Sequence, residues 1–178
     1  PTYQHSEVMM DWFEDEIKVR YPWGKIYRNV PTQDFLYGAM ENTSSTIFAD
    51  YMHQDWRGQQ ERGYLAVNAH ELAHQWFGDL VTCESWSNIP LNESFATYGE
   101  YLWNEHKYGR EEADIGLSND LNGYLREAKS KQVDLIRFNY EEPDELFDRH
   151  SYAKGGTILN MLRRYVGDEA FFASLKKY

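Results

Sequence analysis

The sequence is short of cysteine, of positive charge and of long apolar runs. Its single cysteine, Cys83, cannot form an internal disulfide, and we expect a buried free thiol without a catalytic role. The 18 basic side chains are outnumbered by 29 acidic ones, giving a formal net charge of −11, which argues against a nucleic-acid partner. No stretch approaches the roughly 20 apolar residues of a membrane-spanning helix. These shortages favour a soluble chain and indicate neither its compartment nor its oligomeric state.

Aromatic side chains, in contrast, are abundant. The 178 residues include 14 Tyr, 9 Phe and 6 Trp. A chain of this size can bury roughly 70% of the surface that its unfolded form exposes, so we expect one domain with a real core. Because the sequence starts on a proline and ends inside an apparent helix, residues 1–178 are predicted to be a single-domain segment cut at both ends from a longer protein.

Apolar spacing divides the chain into an early part with strands and a later part with helices. The first helix is predicted over residues 6–20, and short strands over residues 25–30, 35–41 and 45–49. Further helices are predicted over residues 64–77, 90–107, 111–131 and 152–166, and another helix is predicted to start at Asp168. Residues 138–149 are predicted as a loop. The class is therefore α+β, with few strands first and mostly helices afterwards.

The strongest chemical signal is the run His70-Glu71-Leu72-Ala73-His74. On a helix, residues four apart lie on one face, so both imidazoles can reach one metal ion at about 2.0–2.1 Å each. Glu71 lies about 100° around the helix from His70. It can flank the ion without binding it, which suits a general base for metal-bound water.

Two histidines do not complete a catalytic zinc site, which usually has three protein ligands. Glu93 is the best third candidate, because the eighteen residues after His74 allow a turn and a second helix. On that helix Thr97 and Glu100 share its face, and either could accept the other ring N–H of a zinc histidine. The other four histidines lack ligand spacing and are expected at the surface: His5, His53, His106 and His150.

Two further motifs flank this helix pair, Gly38-Ala39-Met40-Glu41-Asn42 and Ser151-Tyr152-Ala153-Lys154-Gly155. Together with residues 70–82 and the pair Asn92-Glu93, they resemble the aminopeptidase N family of zinc metallopeptidases. These proteins are gluzincins, whose catalytic domain has the thermolysin-like fold. Three separate motifs in the right order and spacing are highly specific. The resemblance implies that residues 1–178 form a segment of such a catalytic domain.

The family implies a role for each matched residue. His70, His74 and Glu93 would bind one Zn²⁺ per chain, although this donor set alone does not exclude Mn²⁺ or Co²⁺. Glu71 would take a proton from the zinc-bound water, and Tyr152 would donate to the developing oxyanion. From the residues alone, Tyr152 is more simply interpreted as a core residue near a helix start.

The resemblance also implies the substrate, a peptide with a free N-terminus. Its extended backbone would lie along a segment that consists of Gly38, Ala39, Met40, Glu41 and Asn42. The carboxylate of Glu41 would hold the α-ammonium group, which would make the enzyme an aminopeptidase. Without the resemblance, Glu41 would be a solvent-side residue of a strand.

This chain departs from the common family pattern in three places. Many relatives have Trp-Gly where this chain has Thr43-Ser44, and they usually have Gly where it has Ser94. Residues 83–90 also differ from the usual Trp- and Asp-rich connection. These differences concern side-chain preference and the local path of the chain rather than the ligands or the base.

Two alternative functions stand beside the peptidase. One is an epoxide hydrolase of the leukotriene type, but that branch has a Gly-Gly version of the exopeptidase motif, so Ala39 favours a peptidase. The other is a catalytically silent, peptide-binding segment, which need keep neither Glu71 nor Tyr152. In the family, an N-terminal β-rich domain and a C-terminal helical domain enclose the site. We therefore expect this segment to fold, to bind Zn²⁺, to be weak or inactive alone and to expose apolar patches.

Overall fold

A computed structural model describes residues 2–61 and 63–178, leaving aside the side chains of residues 59–61. The α-helices of these ranges are α1 (Ser6–Ile17), α2 (Trp56–Glu61), α3 (Leu65–Ala73), α4 (Pro90–Tyr108), α5 (Arg110–Glu127), α6 (Gly155–Val166) and α7 (Asp168–Lys177). The strands are β1 (Arg28–Thr32), β2 (Ala39–Met40) and β3 (Ser45–Ala49). This mixture of a small sheet and many helices confirms the predicted α+β class.

The three strands form one sheet with β3 in the centre. β1 pairs with β3 in parallel, from Arg28 opposite Ser45 to Thr32 opposite Ala49. β2 pairs with the other edge of β3 in antiparallel, with Ala39 opposite Phe48. Both outer strands are shifted or shorter than predicted, whereas β3 has the predicted bounds. Of the predicted segment 35–41, only Ala39 and Met40 form the strand, and the carbonyl of Gly38 just before it also accepts from the amide of Ala49.

The main core lies between α1, α3, α4 and α7. Phe13 of α1 and Leu72 of α3 are almost completely buried there, with Trp76 just beyond α3. α3 and α4 approach closely because Gly99 lacks a side chain: a Cβ at this position would lie 2.7 Å from the Cβ of Ala73. This close packing brings the residues of α3 and of the first turn of α4 to a common point.

Helix ends differ most from the predicted bounds. α3 stops at Ala73 instead of residue 77, because the amides of Gln75 and Trp76 bond three residues back, to Leu72 and Ala73. Gly78, with φ +136°, then redirects the chain. α1 ends at Ile17 rather than residue 20, where the next residue adopts a left-handed conformation, and α5 ends at Glu127 rather than residue 131.

The segment before α6 is more ordered than a simple loop. Within the predicted loop 138–149, Pro143–Leu146 form a 3₁₀ turn, and Leu146 is buried. The predicted start of α6 at Tyr152 is too early, because His150–Lys154 form a π-helical turn that precedes the helix. The short helix α2 is absent from the sequence-based prediction. Among the described residues, no helix combines the length and the apolar character that crossing a membrane requires.

Candidate active site

Three potential metal ligands converge where α3 meets α4. His70 lies in the last turn of α3, His74 caps that helix, and Glu93 lies in the first turn of α4. The two Nε2 atoms are 3.1 Å apart, and each lies 3.3 Å from Oε2 of Glu93. Four ligands placed tetrahedrally at 2.0–2.1 Å from zinc would lie about 3.3 Å from one another. The triangle therefore has the dimensions of a zinc site.

The hydrogen bonds of the two rings also suit a metal. Nδ1 of His74 lies 2.9 Å from the carbonyl oxygen of Phe77, which can only accept, so Nδ1 carries the proton. Nδ1 of His70 lies 2.8 Å from Oε1 of Glu100. Both rings can thus direct an unprotonated Nε2 at the same point. Of the two residues proposed from the sequence for this contact, the structure places Glu100 rather than Thr97 beside the ring.

The electrostatics of this point favour a cation. Burial opposes charge on His74, but Glu93 outweighs it and raises the pKa of the imidazole to about 9. The pKa of His70 is also raised, against burial, by its hydrogen bonds to Glu100 and Glu93. Burial would raise the pKa of Glu93, yet the neighbouring imidazoles hold it well below the ordinary value. The donor set therefore fits a divalent ion in charge as well as in size.

Glu71 is buried beside the three ligands without being one of them. Burial, assisted by Glu41 and Glu93 and opposed by the two imidazoles, raises the pKa of Glu71 to about 7. A carboxyl group with such a pKa can both take up and release a proton near neutral pH. Glu41 lies nearby, since ligating atoms of Glu41, Glu71 and His74 are all within 4.8 Å of one another.

Tyr152 reaches the site from the π-helical turn. Its ring stacks on the imidazole of His70, with the ring centroids 6.0 Å apart. Burial, and then the charge of Glu93, raise the pKa of the phenol above its ordinary value. The hydroxyl group therefore remains protonated near neutral pH and is available as a hydrogen-bond donor.

These groups line one open cleft of about 1170 Å³. Its walls include the catalytic candidates just described and four residues of the predicted substrate segment, namely Gly38, Ala39, Met40 and Glu41. Asn42 lies outside the lining; it is exposed, and its carbonyl accepts from the amide of Ser45 in the turn before β3. The structure thus brings together all the other site residues predicted from the sequence.

Gln75 is a residue to which the sequence analysis assigned no role. Its buried side chain donates through Nε2 to the carbonyl of Glu41 and accepts at Oε1 from the amide of Ser44. It thereby ties the segment 38–44 to the end of α3, next to His74. The sequence offered one sign that Gln75 matters, because it lies within the run 70–82 that resembles the family. Its partners Glu41 and Ser44 are 34 and 31 residues away, so no local pattern connects them with Gln75.

Two sequence-based expectations are wrong. His150 is 1% exposed rather than a surface residue, because its Nδ1 pairs with Oε2 of Glu127 at 2.9 Å and its ring packs on Tyr124. Cys83 is only half-buried and lines the cleft instead of lying in the core. Burial still raises the pKa of its thiol, which disfavours the reactive thiolate.

Comparison with known proteins places this arrangement in a family. Residues 2–178 match the Peptidase family M1 domain. The chain is 34% identical to glutamyl aminopeptidase of Bitis rhinoceros over 97% of its length, and 36% identical to aminopeptidase N of Lactococcus lactis subsp. lactis over 96%. It spans 19% and 21% of those two proteins, about a fifth of each.

Solved structures agree with this placement. An M1 zinc metallopeptidase from Deinococcus radiodurans matches 98% of this chain with a TM-score of 0.77 and 29% identity, over 35% of its own chain. Yeast LTA4 hydrolase in complex with bestatin matches 97% with a TM-score of 0.85 and 26% identity, over 28% of its own chain. The chain belongs to peptidase family M1, and the Deinococcus radiodurans structure that it resembles is a zinc metallopeptidase of this family.

Proposed function

We propose that this chain carries the catalytic centre of a zinc aminopeptidase. His70, His74 and Glu93 would hold the ion, which when bound lowers the pKa of water and polarises a carbonyl group. The observation that carries the proposal is the position of Glu41, whose carboxylate lies within 4.8 Å of ligating atoms of Glu71 and His74. A fixed anion at that distance from the metal ligands selects a substrate whose reacting bond lies next to an ammonium group.

Glu71 and Tyr152 supply the proton chemistry. Glu71 is buried beside the three ligands, where it can accept a proton from the attacking water and then pass it to the leaving amine. The phenol of Tyr152 can donate to the oxyanion that develops on the scissile carbonyl. The carbonyl of Gly38 already accepts from the amide of Ala49 in β3, so the alternation of an antiparallel ladder turns the backbone groups of Ala39 outward, where they can bind an extended peptide along the cleft.

The test compares Glu41→Gln with wild type on alanyl-aminomethylcoumarin and its N-acetylated form. We expect wild type to cleave only the free amine, and Glu41→Gln to lose about 10²-fold in kcat/KM, because the ammonium group would lose its charged partner. Glu111→Gln, which makes the same charge change in the exposed first turn of α5, is the control. Cleavage of the acetylated substrate, or unchanged turnover in Glu41→Gln, would contradict the proposal.

An epoxide hydrolase remains the second candidate, because yeast LTA4 hydrolase shares the fold with a TM-score of 0.85. Ala39 in β2 favours the peptidase instead. Incubation with a lipid epoxide, followed by mass analysis for the diol, separates the two activities. Diol formation without release of aminomethylcoumarin would favour the hydrolase, and neither product would favour a silent peptide-binding segment.

We also propose that neighbouring domains complete the active enzyme. The relatives are about five times longer, and the outer face of α6 is apolar but uncovered, with Met161 64% and Tyr165 89% exposed. Such a face favours packing against another protein surface. We therefore expect residues 1–178 to bind Zn²⁺ but to turn over substrate slowly.

A further inference from the structure

Every polar group of Ser151, the residue before Tyr152, makes a hydrogen bond. It is completely buried. Its carbonyl accepts from Oγ of Ser94 at 2.6 Å, and its amide donates to Oδ1 of Asp148 at 3.1 Å. Its hydroxyl group donates to the carbonyl of Leu146 and accepts from Nη2 of Arg137 at 2.9 Å.

The partners of Ser151 come from separate parts of the chain. Ser94 lies on α4, next to the metal ligand Glu93, whereas Arg137 lies in the irregular segment after α5. The remaining partners precede the π-helical turn. Contacts from several directions fix both the position and the rotation of Ser151, and the next Cα carries the side chain of Tyr152.

The contact with Arg137 is itself firmly held. Arg137 is 9% exposed and makes a two-fold hydrogen bond to Asp148, at 2.6 and 2.9 Å. Lys131 adds a second cation on Asp148, at 2.5 Å. Asp148 also accepts from the amide of His150, at 3.0 Å. This ion-pair group therefore holds the start of the turn through charge-assisted hydrogen bonds, most of them made by the buried side chain of Arg137.

We propose that Ser94 and Ser151 are positioning residues that set the phenol of Tyr152 against the metal ligands. Ser94 joins the helix that bears Glu93 to the turn that bears Tyr152 through a single buried hydrogen bond. This inference rests on the proposed peptidase function, because the phenol matters only if an oxyanion develops there. A donor aimed at a transition state is sensitive to displacements of about 1 Å, which can cost about 10²-fold in rate.

The test is a double-mutant cycle on alanyl-aminomethylcoumarin, whose fluorescence allows slow turnover to be followed. We expect Ser151→Ala and Ser94→Ala to lower kcat about 10- to 100-fold while KM changes less than about twofold. In a Tyr152→Phe background, neither substitution should lower kcat further, because the donor is already gone. Ser6→Ala removes another buried hydroxyl group, bonded to Asn68, and serves as the control.

A readout that needs no turnover accompanies the kinetics. In protein labelled at the tyrosine ¹³Cζ, the resonance missing from Tyr152→Phe identifies Tyr152. We expect it to shift or broaden in Ser94→Ala and Ser151→Ala but not in Ser6→Ala, with zinc content unchanged throughout. If Ser151→Ala does not fold, Ser94→Ala carries the test, because it removes one hydrogen bond only.

The outcomes separate this inference from the proposed function. Absence of turnover in a wild-type protein that includes the neighbouring domains would contradict the peptidase, whereas the Tyr152 resonance of residues 1–178 would still report its positioning. Two results would overturn the positioning role. One is an unchanged resonance in Ser94→Ala, and the other is an equal loss of kcat whether or not the hydroxyl group of Tyr152 is present.

Discussion

The helix pair α3/α4 and the turn that carries Tyr152 deliver their functional groups in different ways. On the helices, spacing sets His70 and His74 one turn apart, and the close packing of α4 on α3 brings Glu93 to within 3.3 Å of both Nε2 atoms. On the turn, no regular period applies. Tyr152 is placed by hydrogen bonds to the preceding residue, from partners up to 57 residues away.

The difference shows which part of a site a sequence can encode locally. A ligand pair on a regular helix needs only the helix and one close neighbour, supplied here by the contact of Gly99 with Ala73. A catalytic group on a π-helical turn needs a tertiary scaffold, and this one contains the buried ion pair of Arg137 with Asp148. The helix pair should therefore hold metal independently of the turn.

The largest expected effect tests that independence. His74→Ala should reduce bound zinc from one per chain to below about one tenth, because only two protein ligands remain. His150→Ala removes an equally buried histidine from the turn and should leave zinc unchanged. Metal content is measured by plasma mass spectrometry after dialysis, with folding checked by circular dichroism. Equal zinc loss in both variants would show that the two regions form one cooperative unit.

A smaller effect should follow from changing the partner of a ligand. Glu100→Gln weakens the acceptor that orients Nδ1 of His70 at 2.8 Å, and should weaken zinc affinity about 10- to 100-fold. Competition with a chromophoric chelator measures this affinity. Glu111→Gln provides the matched control. An unchanged affinity would mean that α3 alone orients the ring, which would sharpen the contrast with the turn.

The smallest expected effect concerns the turn at low pH. Burial alone would raise the pKa of Asp148, but hydrogen bonds from Arg137 and Lys131 hold that pKa below its ordinary value. An unfolded aspartate has a pKa of about 3.9, so the ionised carboxylate stabilises the fold above that pH. This stabilisation is lost as the pH falls through the lower, folded-state pKa.

Asp148→Asn should therefore be less stable than wild type at neutral pH, and the difference should shrink below about pH 4. Urea midpoints measured by circular dichroism between about pH 3 and 7 give both curves. A difference that does not change with pH would show that the pairing of Asp148 contributes no proton-linked stability.

The sequence identified the residues that converge at the candidate metal site better than it identified their surroundings, for physical reasons. His70, Glu71, His74 and Glu93 followed from helical spacing and a plausible gap, and the structure brings them together. Glu41 and Tyr152 required the resemblance to a family, because their neighbours at the site lie far away along the chain.

The features that local patterns missed depend on contacts across the fold. Gln75 has its partners in the segment 38–44, and the burial of His150 depends on Glu127 and Tyr124. The end of α3 at Ala73 was missed for a related reason. The apolar spacing continues through Phe77, but the backbone amides of Gln75 and Trp76 bond to the carbonyl three residues back, as in a 3₁₀ turn, instead of four residues back.

The hydrogen bond of Ser94 also constrains how this protein can diverge. A side chain at Gly155 would overlap the hydroxyl group of Ser94, so the two positions share a single volume. The Cβ of residue 94 would also lie 2.5 Å away, so alanine at position 155 requires glycine at position 94, and Ser94 can persist only beside glycine. A side chain at position 155 should therefore appear among descendants of this sequence only together with a change at position 94, and a mutagenesis library that varies position 155 alone would miss it.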